Sequence, residues 1–183
     1  MEHFYQNIGE DWFSYPNLYK RIVDNSQDGA KLVEVGSWKG RSASFMAVEI
    51  INSNKNIKFD CVDTWKGSIE HTDYDVITEE KLYDVFLSNI EPVKHVINPI
   101  KMTSIDASKL YDDNSLDFVF IDANHEYEDV KKDIESWLPK IKSGGYIGGH
   151  DYNANSFPGV IKAVNDLFND RFTLIGGSWL VKV

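Results

Sequence analysis

The chain has 183 residues, 42% hydrophobic and 26% charged, and carries a formal net charge of −10. That length and balance fit one globular domain with one core and exclude disordered and fibrous classes. The acidic excess, with no block of Lys and Arg, excludes a nucleic-acid partner held chiefly through phosphates.

No apolar run approaches the ~20 residues of a membrane helix, and the first ten residues lack the basic and apolar regions of a secretory leader. The expected location is therefore cytoplasmic, with no membrane partner. The single cysteine, Cys61, rules out an intrachain disulfide. Inside an apolar run it reads as a buried strand residue rather than a nucleophile.

In chain order, the aromatic stretch 4–22 predicts one or two helices packed over the core or across the mouth of a site. Residues 1–29 form an N-terminal segment ahead of a main domain over 30–183. Residues 31–36 (KLVEVG) predict a strand, and Ala43, Met46, Ala47, Ile50 and Ile51 then recur on one face of a helix. A second strand covers 57–63 and a polar loop 64–78. A helix follows from about 79 to 90, then a third strand over 96–102 and a short helix near 107–111.

Residues 116–122 (LDFVFID) are apolar almost throughout, as suits a central parallel strand buried on both faces. The next helix places Tyr127, Val130, Ile134, Trp137 and Leu138 on one side. Glu126, Glu128 and Asp129 crowd its first turn, where the helix dipole favours negative charge. Pro139 and the pair Gly144 and Gly145 read as closing it. A strand at 146–149 and a helix with Val160, Ile161, Val164, Leu167 and Phe168 inward come next. The runs 172–175 and 179–183, joined by Gly176, Gly177 and Ser178, predict a tight hairpin. Strands alternating with helices imply right-handed βαβ units. The expected architecture is an α/β doubly wound, mostly parallel seven-stranded sheet ending in an antiparallel β-hairpin.

Residues 33–42 read V-E-V-G-S-W-K-G-R-S. Gly36 at the strand end and Gly40 at the helix opening allow close ligand approach and positive φ, and the helix N-terminus offers free N–H groups. The pattern is not the G-x-G-x-x-G of dinucleotide folds and lacks the Lys-Ser/Thr end of a P-loop. Asp63 closes the second strand, where an acid can accept hydrogen bonds from ribose hydroxyls. The central strand ends in Asp122-Ala123-Asn124-His125 and the next in His150-Asp151-Tyr152-Asn153. Ligands in open α/β sheets bind beyond the carboxyl ends of the strands, so Asp122, His125, His150 and Asp151 are expected to converge at the reactive end of a nucleoside. Asn124 is also a candidate helix cap. The acids suit Mg²⁺ or another divalent cation, and a transition metal if histidine joins. A site without metal fits them equally.

The stretches LVEVGSWKGRS, CVDTWKGSIEH, SLDFVFIDANHEYEDVKKDIESWLPKIKSGGYIGGHDY and PGVIKAV resemble the class I S-adenosylmethionine-dependent methyltransferases. Within them the resemblance is to a small branch with macrocin- and mycinamicin-type sugar O-methyltransferases and cephalosporin-hydroxylase-like proteins. It implies the Rossmann-like methyltransferase fold, with Glu34, Gly36, Ser37 and Gly40 bordering the methionine part of S-adenosylmethionine. Asp63 would hold the ribose, Trp65 would line the pocket beside it, and Ser104 would lie by the adenine. Asp122 and Asp151 match metal-binding positions of metal-dependent members, with His150 joining them if the ion is a transition metal. The chain departs from sugar methyltransferases at Asn124, where some carry a second acid, and at His150, where another acid often stands.

The resemblance implies O-methylation of a small-molecule acceptor with His125 or His150 as base. The acceptor stays open among sugar, natural-product and catechol-like hydroxyls. A non-catalytic nucleoside-binding protein of the same fold and a metal-dependent hydrolase are the alternatives. His71 reads either as a cover over the site or as an exposed loop residue. No motif marks a homodimer interface, for which the N-terminal segment is the candidate surface.

Overall fold

The computed structural model describes residues 1–67, 77 and 81–183. His71 and most of the 64–78 loop fall outside them, as does the start of the helix expected from 79. Alternation along the strands sets the architecture. In β1 (Lys31–Val35), Leu32 faces one side of the sheet while Val33 and Val35 face the other. In β4 (Leu116–Ile121), Phe118 and Phe120 divide from Val119 and Ile121 in the same way. Two apolar faces demand two helical layers. On the first side lie α1 (Pro16–Asn25), α2 (Arg41–Ser53) and α3 (Leu82–Asn89). The second side carries α4 (Ser104–Ser108), α5 (Tyr127–Trp137) and α6 (Pro158–Phe168).

The seven-stranded sheet runs β3-β2-β1-β4-β5-β7-β6. β2 (Lys58–Asp63), β3 (Ile97–Lys101) and β5 (Ile141–Gly149) join β1 and β4 in one parallel set. β7 (Ser178–Lys182) is antiparallel to both β5 and β6 (Thr173–Ile175). The expected hairpin is present, but Ile175 pairs with Ser178, so Gly176 and Gly177 alone form its turn and Ser178 begins β7. Chain order reverses between β1 and β4, which opens a crevice beyond their carboxyl ends. Cys61 is buried in β2, where loss of solvent pushes its thiol well above the ordinary range. No helix among the described residues is long and apolar enough to cross a membrane.

Three departures from the sequence expectation have a clear local cause. β5 begins at Ile141 rather than 146, so Gly144 and Gly145 lie inside a strand instead of ending a helix. The register jumps there, Leu116 pairing with Ile141 but Phe118 with Tyr146, and a Cβ on Gly145 would come within 2.9 Å of the Asp117 carbonyl. The glycines therefore mark a bulge. The short helix after β3 starts at Ser104, not near 107, because Thr103 caps it. The Thr103 hydroxyl accepts the Asp106 amide at 3.2 Å and donates to the Asp106 carboxylate at 2.9 Å. Asn124 does not occupy the formal cap of α5, which is Glu126. Its side-chain oxygen instead accepts the amides of His125 and Glu126 just ahead of the helix.

Gly36 has φ +90°, and a Cβ there would fall 1.9 Å from the Asp122 carbonyl oxygen. Gly144 shares a positive φ of +85°, with nothing within 4 Å of its missing Cβ. Gly144→Ala should then cost about 1 kcal/mol of backbone strain, whereas Gly36→Ala should cost more than ~3 kcal/mol, because backbone must move as well. Urea denaturation of the two variants beside wild type measures the difference, and equal losses would refute this account.

Candidate active site

The crevice is built from strand ends. Gly36 N–H donates to the Val62 carbonyl and Asp122 N–H to the Val35 carbonyl, both at 2.8 Å, so the ends of β1, β2 and β4 are tied together. Asp63 closes the turn that follows. One carboxylate oxygen accepts the amides of Ser37 and Trp38 at 2.9 Å, and the other accepts the Trp65 amide at 2.7 Å. Burial lifts the Asp63 pKa above the ordinary carboxylate range, against the pull of these N–H groups. Trp38 and Trp65 both hold positive φ, a strain this clamp maintains.

A cavity of about 660 Å³ lies over these ends, within the size range of small-molecule sites. Of the residues named from sequence, Gly36, Ser37, Asp63, Ser104, Asp122, His125, His150 and Asp151 line it. Glu34, Gly40 and Trp65 do not. Glu34 alternates onto the face covered by α1, where it is fully buried and accepts the Tyr19 hydroxyl at 2.7 Å. Gly40 opens α2 against Ile90 and Phe86. Trp65 turns into the core beside Tyr83 and Phe86 and donates its indole N–H to the Trp38 carbonyl. Ser104 is held from behind, its hydroxyl accepting the Trp137 indole N–H at 2.9 Å.

The opposite wall comes from the N-terminal segment, through Glu10, Trp12, Phe13 and Tyr15. The segment is strapped to the glycine turn. Lys39 Nζ lies 2.6 Å from a Glu10 oxygen, whose partner oxygen accepts the Trp38 indole N–H at 3.0 Å. Arg41 reaches Asp11 at 2.5 Å and the Ile8 carbonyl at 3.1 Å. The sequence held one trace of this strap: two cations in the glycine turn and an acidic pair, Glu10-Asp11, about thirty residues earlier.

The ends of β4 and β5 bring four titratable groups together. Asp151 accepts from both histidines, with His125 Nε2 at 2.9 Å from one oxygen and His150 Nδ1 at 3.2 Å from the other. Its backbone sits at φ +58°, an uncommon position for a side-chain-bearing residue. Burial disfavours its charge, but the two histidines outweigh that and hold its carboxyl well below the ordinary range. Asp122 goes the other way. Desolvation raises its pKa, and the nearby Asp151 charge adds to the rise while His150 opposes it. For His150, burial works against the proton, yet Asp151 and Asp122 prevail and raise its pKa. Ligand atoms of Asp122, His125 and Asp151 all lie within 4.8 Å of one another, a donor set that fits a divalent cation. The histidine grouped with the two acids is thus His125, whereas His150 points Nε2 at the Ser14 hydroxyl, 2.7 Å away.

Residues 33–152 match the family model described as Methyltransferase domain. This chain belongs to that methyltransferase family. Two curated relatives align with it. An uncharacterized protein of Sinorhizobium fredii is 26% identical over 121 residues, which is 66% of this chain and 13% of the relative. An uncharacterized protein of Acanthamoeba polyphaga mimivirus is 27% identical over 165 residues, 84% of this chain and 68% of the relative. The methyltransferase chain thus spans about an eighth of the first relative's length and about two thirds of the second's. Among solved structures it resembles the O-methyltransferase NovP, with TM-score 0.70 and 16% identity over 91% of this chain and 78% of NovP. It also resembles an O-methyltransferase from Bacillus cereus in complex with SAH, with TM-score 0.63 and 17% identity over 97% and 86% of the two chains. At these identities the likeness establishes a methyltransferase fold.

Burial raises the Glu34 pKa to about 7, although the Tyr19 hydroxyl and the nearby Ser37 and Ser42 favour its charge. A carboxyl with a raised folded-state pKa binds more protons folded than unfolded, so its contribution falls as pH rises from about 4.5 to 7. Glu34→Gln removes that loss and keeps an acceptor for Tyr19. Its melting temperature should gain on wild type by several degrees more at pH 8 than at pH 5, equivalent to roughly 2–3 kcal/mol. A gain independent of pH would contradict the buried-acid assignment.

Proposed function

We propose that this chain transfers the methyl group of S-adenosylmethionine to a hydroxyl of a small-molecule acceptor. The observation that carries the reading is a single cavity at the carboxyl ends of neighbouring strands, lined by Gly36, Ser37 and Asp63 together with Asp122, His125, His150 and Asp151. NovP and the Bacillus cereus protein are O-methyltransferases, and the latter carries SAH, which supports the cofactor and an oxygen acceptor. In this reading the methionine part lies along Gly36 and Ser37, the ribose meets Asp63, and the adenine reaches Ser104.

The donor is already activated, so the protein's work is alignment, exclusion of water and removal of one proton. The acceptor oxygen attacks the methyl carbon as the carbon–sulfur bond breaks, releasing S-adenosylhomocysteine. The hydroxyl proton passes to a histidine. In this reading His125, paired through Nε2 with Asp151, takes the proton while Asp151 stabilises the imidazolium. His150 has Ser14 on one nitrogen and Asp151 on the other, which suits orientation better than proton exchange. A divalent ion held by Asp122, His125 and Asp151 would instead lower the acceptor hydroxyl's pKa, in place of His125 acting as the base.

Calorimetry should show micromolar binding of S-adenosylmethionine and S-adenosylhomocysteine, no binding of NAD, and at least tenfold weaker binding by Asp63→Ala. Absence of binding would remove the methyltransferase reading. A panel of sugars and catechols, assayed with Mg²⁺ and with EDTA, should then yield turnover that His125→Ala lowers by about 10²–10⁴-fold. A full rate in His125→Ala moves the base to His150, and turnover restored only by Mg²⁺ assigns an ion to the site.

A further inference from the structure

Residues upstream of the family-matched segment enter the reacting end of the cavity. Tyr15 is 5% exposed, and its hydroxyl donates to Asp122 Oδ2 at 2.7 Å. Its ring packs on Phe120 beneath, with centroids 4.6 Å apart, and on the His150 imidazole, 4.8 Å away. The preceding residue, Ser14, places its hydroxyl 2.7 Å from His150 Nε2, while His150 Nδ1 faces Asp151 at 3.2 Å. Two consecutive residues of the N-terminal segment thus touch the ends of β4 and β5, at sequence separations of 107 and 136.

We propose that Ser14 and Tyr15 are positioning residues of the reaction centre, Ser14 fixing the tautomer and direction of His150 and Tyr15 fixing the carboxylate of Asp122. The proposal rests on the methyltransferase reading of this cavity. A neutral imidazole with Nδ1 against a carboxylate keeps its proton on Nδ1, leaving Nε2 to accept from the Ser14 hydroxyl. That assignment aims Nδ1–H at Asp151, whose other oxygen serves His125. Tyr15 occupies one Asp122 oxygen and leaves the other facing His150, at 3.9 Å. The dipeptide is itself held in place. Tyr15 precedes Pro16 at the start of α1, and its ring meets Phe13 and Tyr19 edge-on.

The test compares full-length wild type, Ser14→Ala and Tyr15→Phe by long-range ¹H–¹⁵N spectra of the histidine side chains, with S-adenosylhomocysteine affinity and melting temperature measured alongside. At about pH 9, where the imidazole is neutral, wild type should show His150 as one fixed Nδ1–H tautomer. Ser14→Ala should move the His150 nitrogens toward the solvent-averaged pattern, and Tyr15→Phe should shift its ring signals. His3 and His95 stay unchanged, S-adenosylhomocysteine affinity stays within threefold, and melting shifts by only a few degrees. With the best acceptor from the panel, kcat should fall at least tenfold in both variants while KM for S-adenosylmethionine stays within threefold. Unchanged His150 signals in Ser14→Ala, or a higher KM with an unchanged kcat, would overturn the proposal alone. Failure of wild type to bind S-adenosylhomocysteine would overturn the methyltransferase reading and this proposal with it.

Discussion

At Gly36 the end of β1 passes so close to Asp122 that no side chain has room, and the rest of the site follows from that contact. Backbone against backbone sets the turn that follows β1 beside Asp122, the residue that follows β4. The Asp122 carboxylate then shares a cavity with Ser37 and Asp63. The glycine was expected from sequence to admit a ligand. It lines the cavity, but its steric necessity comes from the protein's own chain. Positive φ and a missing Cβ act together here, as they do not at Gly144.

Asp63 has a similar double character. Its carboxylate organises the turn from Ser37 to Trp65 through three backbone amides. An acid already committed to N–H groups is rigid, and rigidity at this point sets where a ligand's hydroxyls can meet it. The cost is a buried charge, reflected in its raised pKa.

The fold was legible because its strands are short apolar runs whose alternation divides cleanly between two helical layers. The two polar clusters after β4 and β5 were legible because consecutive residues at strand ends stay neighbours in space. What escaped was long-range or hidden by local ambiguity. Nothing in the spacing of Ser14 and Tyr15 announces His150 and Asp122, since contacts across 107 and 136 residues leave no periodicity. Glu34 and Trp65 sit within motifs near the cavity, yet strand alternation and a left-handed turn direct their side chains elsewhere. The glycine pair before Tyr146 fits a helix stop as well as a bulge, and only the β4–β5 register distinguishes them. Thr103 and Asp106 did carry a capping signal, one that apolar periodicity alone passes over.

The strap from Glu10 and Asp11 to Lys39 and Arg41 joins the outer wall of the cavity to the turn that forms its floor. Its anchors stand on the glycine turn itself, so ordering the turn and seating the strap are thermodynamically linked. Any free energy a bound molecule lends to the seated strap, the seated strap returns to that molecule's affinity. Because two charge pairs carry the linkage, raising ionic strength would weaken it. Salt that loosens these two pairs would then also weaken the pocket's grip on whatever it holds.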